Sequence, residues 1–183
     1  MEASHLIGGV ESRAIVLVGY SPEWVVRFDT QHALLVRALG RDARRVDHIG
    51  STAVPGLIAK PIIDIQLSVV DVEDEDTYIP TLLASGFVLR VREPGHRMVR
   101  TPTLDVHVHV CQSGSHWERR HLLFRDWLRH DTNDRESYGE LKRQLASQQW
   151  ADMNAYAAAK GPIIAAITGR AEEWAKRTAW SIS

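Results

Sequence analysis

At 183 residues, with 44% hydrophobic and 25% charged side chains, the chain has the composition of a globular domain able to bury a real core. A formal net charge of −1 excludes a global field that draws in nucleic acid or an anionic membrane, so an anionic ligand has to be held by local cations. The single cysteine, Cys111, permits no internal disulfide and predicts a reducing, cytoplasmic setting, and neither a signal-peptide pattern nor an 18-residue apolar run predicts export or a membrane span.

In chain order, AIVLVGY (14–20) predicts a strand. Ser21-Pro22-Glu23 carries a helix start, with serine as N-cap, proline at the first helical position and an acid in the first turn. Trp24, Phe28, Leu35 and Leu39 supply that helix's apolar face, and Gly40 stands where it ends. RRVDHIG (44–50) predicts a strand running into a Gly-Ser turn, and Pro55-Gly56 marks a second turn. From Ile62 to Val70 the residues alternate. Asp64 and Gln66 fall on one face, and Ile63, Ile65, Leu67 and Val69 on the other.

A helix over 74–86, with Pro80 as an alternative start, leads into a hairpin of 86–93 and 96–100 about Pro94-Gly95. LDVHVHV (104–110) repeats the alternation, with Asp105, His107 and His109 opposite Leu104, Val106, Val108 and Val110. The remainder predicts helices over 115–130, 134–149 and 151–179, the last divided at Gly161-Pro162 because proline removes a helical hydrogen bond. The expected fold class is α/β (α+β), with a core over 1–112 and a C-terminal helical extension over 113–183 packed on it as one compact unit.

If the two alternating strands are neighbours, Asp64, Gln66, Asp105, His107 and His109 share one polar floor. A Gly-Ser turn beside a strand carboxylate is the outline of a nucleotidyl-transfer site. Gly50, Ser51 and Thr52 suit terminal phosphates, and Asp64 suits a divalent metal that neutralises the transferring group. Gln66 stands where such a site carries its second acid, and a neutral amide holds Mg²⁺ poorly. Asp64 with His107 and His109 instead offers two imidazoles and one carboxylate, a set suited to zinc, iron or nickel. The alternative for the same histidines is hydrogen bonding on a wet sheet face.

His48 and Asp105 are candidates for acid–base work from the same floor, and Asp105 is equally a candidate third metal ligand. Lys60, Arg125, Lys142 and Lys160 are candidate anion-binding cations, each equally readable as a solvated side chain. His96, His116 and His121 read as surface or loop residues. The six tryptophans read as helix-packing anchors, and Cys111 as a buried, inert thiol.

HIGSTAVPGLIAKPIIDI (48–65), followed by HVHV (107–110), FRDWLR (124–129), YGELK (138–142) and YAAAK (156–160), resembles the GrpB family in blocks and in their order. The resemblance covers about residues 14–175 and implies a nucleotidyltransferase-like mixed sheet with flanking helices and added C-terminal helices. It also implies kinship with proteins fused to dephospho-CoA kinase. The family's HIGST segment falls on His48 to Thr52, its KPIID segment on Lys60 to Asp64, its HxH on His107 and His109, and its FRD on Phe124 to Asp126.

Three readings follow. One is a metal-dependent nucleotidyltransferase-like enzyme for a nucleoside triphosphate or another phosphorylated small molecule. The second is a two-His, one-carboxylate metalloenzyme acting on a small molecule. The third is a non-catalytic ligand-binding module. The first uses Mg²⁺ or a transition metal, and no sequence feature selects an oligomeric state, a membrane or a nucleic-acid partner.

Overall fold

The structure, a computed structural model, describes residues 5–11 and 14–182. Its elements are β1 (His5–Leu6), α1 (Glu23–Leu39), β2 (Arg45–Ile49), β3 (Ile63–Val69), α2 (Ile79–Ala84), β4 (Val88–Glu93), β5 (His96–Arg100), β6 (Val106–Gln112), α3 (His116–His130), α4 (Thr132–Ala146), α5 (Met153–Ala159) and α6 (Gly161–Thr178). The strands form one mixed sheet in the order β1-β4-β5-β6-β3-β2. β3 and β6 run parallel, and every other pair is antiparallel. This is the mixed α/β architecture that the alternating strands and helical second half predict.

Period-two alternation gives the sheet two chemically different faces. Ile63, Ile65, Leu67 and Val69 of β3 and Val106, Val108 and Val110 of β6 are all 3% exposed or less. They pack with Trp24, Leu35 and Leu39 of α1 and Ile79 and Leu82 of α2. Each such aliphatic side chain contributes roughly 1.5–3 kcal/mol of burial free energy, which fixes the register of both strands. The opposite face carries Asp64, Gln66, His107 and His109, with Asp64 opposite His107 and Gln66 opposite His109.

The C-terminal helices build a second core over that polar face, from Leu123, Trp127, Leu128, Tyr138, Ile167 and Ala171, together with Val54 and Leu57 from the loop after β2. Their starts are encoded locally. The Ser115 hydroxyl accepts from the Glu118 amide, Asp131 accepts from the Asp134 amide, and Asp152 accepts from the amides of Asn154 and Ala155. The Glu118 carboxylate reaches back to the Gly114 amide at 2.6 Å, a capping-box variant. The expected division of the last helix occurs at Lys160, between α5 and α6, with Pro162 in the first turn of α6.

Two sequence expectations are corrected. Residues 14–20 form no strand; Val18 makes one isolated bridge to Ala59, and Val16 and Val18 remain 58% and 38% exposed. A strand needs a ladder partner along its length, and this apolar run instead walls two cavities, through Leu17 in one and Ala14 and Val16 in the other. The helix expected over 74–86 is shorter. A 3₁₀ turn at Glu75–Thr77 precedes α2, which has Pro80 in its first turn, as that residue's fixed φ favours. β1, which the sequence reading did not separate out, pairs with β4 at the sheet edge.

Candidate functional site

The parallel register of β3 and β6 brings Asp64, His107 and His109 together. Asp64 Oδ1 lies 3.4 Å from His107 Nδ1 and 3.7 Å from His109 Nε2. One ligand atom from each of the three residues lies within 4.8 Å of the others, which makes the trio a candidate site for one ion. The sharp bend after β2 supports the carboxylate. Gly50 has φ +71°, and a Cβ built there would meet Asp64 Oδ2 at 2.5 Å. Only glycine leaves room for the carboxylate at that turn. Burial pushes the Asp64 carboxyl up, but contacts with His107 and His109 outweigh it and hold the group well below the usual carboxylate range. An anionic oxygen beside two imidazoles is a donor set for zinc or another transition metal.

A hydrogen-bonded chain runs outward from this cluster. His109 Nδ1 is 3.0 Å from His96 Nε2, and His96 Nδ1 is 2.6 Å from Glu93 Oε1. Without an ion, His109 Nε2–H donates toward Asp64; with an ion between them, Glu93 accepting from His96 Nδ1 and His96 Nε2 accepting from His109 Nδ1 would free the His109 Nε2 lone pair to ligate it. Burial and the neighbouring His109 lower the His96 pKa to about 4, against the pull of Glu93, so its ring is neutral at neutral pH. Trp117 of α3 stacks on His96 at 4.8 Å and on His121 at 3.7 Å, clamping the chain from above.

The same cluster lines a cavity of about 330 Å³ shared with Ser51, Lys60, Lys142 and Lys160. Lys142, 3% exposed, donates to Ser51 Oγ at 2.9 Å and to the Ile58 carbonyl. Its ammonium sits 4.8 Å from the Tyr138 ring centre. The Tyr156 ring has Lys60 at 5.4 Å and Lys160 at 4.8 Å. Burial first, then mutual repulsion, lowers Lys142 to about 7 and Lys160 to about 8, although Asp64 pulls Lys160 the other way. Crowding these lysines along one wall favours loss of a proton from Lys142 and Lys160, a tendency that a bound anion would reverse.

Of the sequence candidates, Asp64, His107, His109, Ser51, Lys60, Lys142 and Lys160 meet in this cavity, and Gly50 supports it from behind. Thr52 also lines it, but its hydroxyl is committed to the Ile62 carbonyl and the His48 ring. The others do not join it. His48 pairs with Ile65 and lies on the aliphatic face, stacked on Phe28 at 4.8 Å, where burial lowers its pKa to about 4. Arg125 fastens α3 to β2 by donating to the His48 carbonyl at 3.1 Å, and it pairs with Asp126.

Asp105 precedes β6 and accepts from Arg27, Thr101 and Thr103. The Thr103 hydroxyl foremost, then that of Thr101, lowers its pKa against the effect of burial, which weakens it as a base. His96 and His121 are not loop or surface groups but members of the ring stack, and Trp117 packs on histidines rather than on another helix. Cys111 is buried as expected, and burial pushes its thiol up to about 12.

Sequence reasoning missed Tyr138 and Tyr156, and a signal for them existed. YGELK and YAAAK both place tyrosine four residues before lysine, one turn apart on a helix face. It also missed Glu93 and His96, whose role depends on the antiparallel register of β5 against β6.

A family profile described as GrpB protein matches residues 14–170. A UPF0157 protein of Streptomyces coelicolor is 50% identical, over 91% of this chain and 89% of that protein, and one from Halalkalibacterium halodurans is 45% identical, over 86% and 83%. A dephospho-CoA kinase of Mycolicibacterium paratuberculosis is 32% identical over 90% of this chain, a match that spans 47% of that protein. Among solved structures, the conserved protein GrpB from Enterococcus faecalis superposes with a TM-score of 0.77 at 32% identity, covering 87% of this chain and 99% of that one. Its mixed sheet with flanking helices is the nucleotidyltransferase-like fold. With the profile spanning most of the sequence and relatives matched over most of their own length, the chain belongs to the GrpB family.

Proposed function

We propose that the cavity binds a phosphorylated small molecule, a nucleotide among them, beside a divalent metal held by Asp64, His107 and His109, and that it serves metal-assisted phosphoryl or nucleotidyl chemistry. One observation carries this reading: a three-residue metal-type donor set and three lysines line the same 330 Å³ cavity. The metal, when bound, polarises a phosphoryl oxygen and neutralises developing charge. The protein's own groups do the rest. Lys60, Lys142 and Lys160 draw the phosphate in, Ser51 orients Lys142, Tyr138 and Tyr156 hold the ammonium groups by cation–π contact, and His96 fixes the tautomer of His109.

Gln66 excludes a two-carboxylate, two-metal arrangement on this strand, since it is fully buried and absent from the cavity wall. Two proteins named dephospho-CoA kinase each contain a segment like this chain over about half their length, which puts such a segment in one chain with an enzyme of phosphorylated substrates.

The test is a titration of zinc, magnesium and ATP against wild type and Asp64→Ala. Loss of metal binding by at least tenfold in the variant is expected; equal binding by both proteins, or by neither, ends the reading. The imidazole-rich donor set also favours a second reading, a two-His, one-carboxylate metalloenzyme acting on an unphosphorylated substrate. Bound zinc, iron or nickel in chelator-free protein, with no response to phosphate or ATP, selects it.

A further inference from the structure

A second cavity of about 370 Å³ adjoins the first, and Lys60, Ile62 and His107 stand in the wall of both. Its chemistry differs. Ala14, Val16, Pro61, Leu104 and Met153 supply an apolar lining, with Thr103 and Asp105 at the same wall. Leu104 has φ +63°, a left-handed backbone that a branched side chain adopts only under compulsion.

The surroundings supply that compulsion. The Leu104 amide donates to the Thr101 carbonyl at 3.0 Å, and the Asp105 carboxylate gathers the hydroxyls of Thr101 at 2.7 Å and Thr103 at 2.5 Å. Arg27 then ties Asp105 to the Pro61 carbonyl, at 2.9 and 3.4 Å. An entire network therefore holds the backbone of an apolar residue in a strained conformation beside the first cavity. Such strain persists where the surrounding structure over-determines it, and it clusters at ligand-binding sites.

Resting on the proposed anion-binding role of the first cavity, we infer that the second is the subsite for the organic part of the substrate, and that the substrate class is an apolar-substituted phosphate ester. The phosphate lies among the lysines, and the ester's organic group passes over Ile62 and His107 into the lobe walled by Val16, Leu104 and Met153. Asp105 is a positioning residue for this lobe and not a base. A lobe with few free polar groups rewards area removed from water and discriminates poorly between apolar groups of similar size.

The experiment is a calorimetric series of inorganic phosphate and the n-alkyl phosphates from methyl to hexyl. Affinity is expected to rise about fourfold per methylene until the lobe is full. Leu104→Gly and Val16→Asn are expected to flatten the series while leaving inorganic phosphate within twofold of wild type. Glycine accepts the left-handed backbone and Val16 is 58% exposed, so neither change lowers Tm appreciably. A wild-type series with no chain-length dependence, or one that both variants leave unchanged, overturns the lobe while the anion site stands. Failure of every phosphate to bind overturns both.

Discussion

Residue positions that tolerate one side chain only are the sharpest tests of the site. Gly50 adopts φ +71° and ψ −170°, a region open essentially to glycine, and its missing Cβ leaves the space that Asp64 Oδ2 fills. Gly50→Ala is therefore expected to lower stability by about 1–3 kcal/mol. It is also expected to weaken zinc binding more than that loss explains, because the carboxylate must rotate away. A thermal melt and a chelator-competition titration on the same sample separate the two effects, and unchanged zinc affinity would remove Asp64 from the ligand set. His96 offers a milder perturbation. It touches His109 but is not one of the three clustered residues, so His96→Phe keeps the ring stack on Trp117 and deletes the acceptor for His109 Nδ1. Zinc affinity is expected to fall about 10–100-fold, as for other outer partners of ligating histidines. A loss of less than about threefold would show that the Glu93–His96 chain does not orient His109.

Elements carry the electrostatics. α4 presents Lys142, and the junction of α5 with α6 presents Lys160, where an unfolded lysine keeps its proton to about pH 10.4. In the folded chain these groups release protons at about 7 and 8. Between pH 7 and about 8.5 the unfolded chain thus binds more protons, and stability rises with pH. Above that range the buried Cys111 thiol begins to act the other way, since it ionises more readily once unfolded. Tm is expected to climb across this window in wild type and to climb less in Lys142→Met. The same linkage makes phosphate binding at pH 8 take up protons, which calorimetry in buffers of different ionisation enthalpy measures directly. No proton uptake would place the anion elsewhere.

These elements also show what a sequence can disclose. The alternation in β3 and β6 disclosed Asp64, His107 and His109, because aliphatic burial on one face dictates what the other face presents. It failed for Asp105, since the left-handed turn at Leu104 breaks the alternation before β6 begins, and for His48, since parity cannot be counted through the bend at Gly50. Arg125 is not decided by its helical spacing, because a long cationic side chain satisfies a carbonyl and a carboxylate, as it does here, as readily as a phosphate.

At the scale of the whole molecule, the expected boundary at 112/113 is one of texture, and we expect it to have no thermodynamic counterpart. The second core is not made by the C-terminal helices alone, because Val54 and Leu57 from the loop between β2 and β3 complete it. Polar ties cross the same border. Arg129 donates to the Ala53 carbonyl at 2.9 Å, Lys142 to Ser51 Oγ at 2.9 Å, and the Met153 amide to the Glu11 carbonyl at 3.0 Å. Without α3 to α6, the polar face around Gln66 would open to water; without that loop, the helices would expose Leu123, Leu128 and Ile167, each now 1% exposed or less. Because each part would hydrate its own core on losing the other, we expect the two to unfold as one cooperative unit. Scanning calorimetry is expected to give one transition with equal calorimetric and van't Hoff enthalpies. Leu57→Ala, buried to 1% in the loop but packed on the helices, is expected to cost about 2–5 kcal/mol and to lower that single transition as a whole. If only a helical transition shifts and a second, unmoved transition remains, the sheet and the helices are separate folding units and the site is an interface between them.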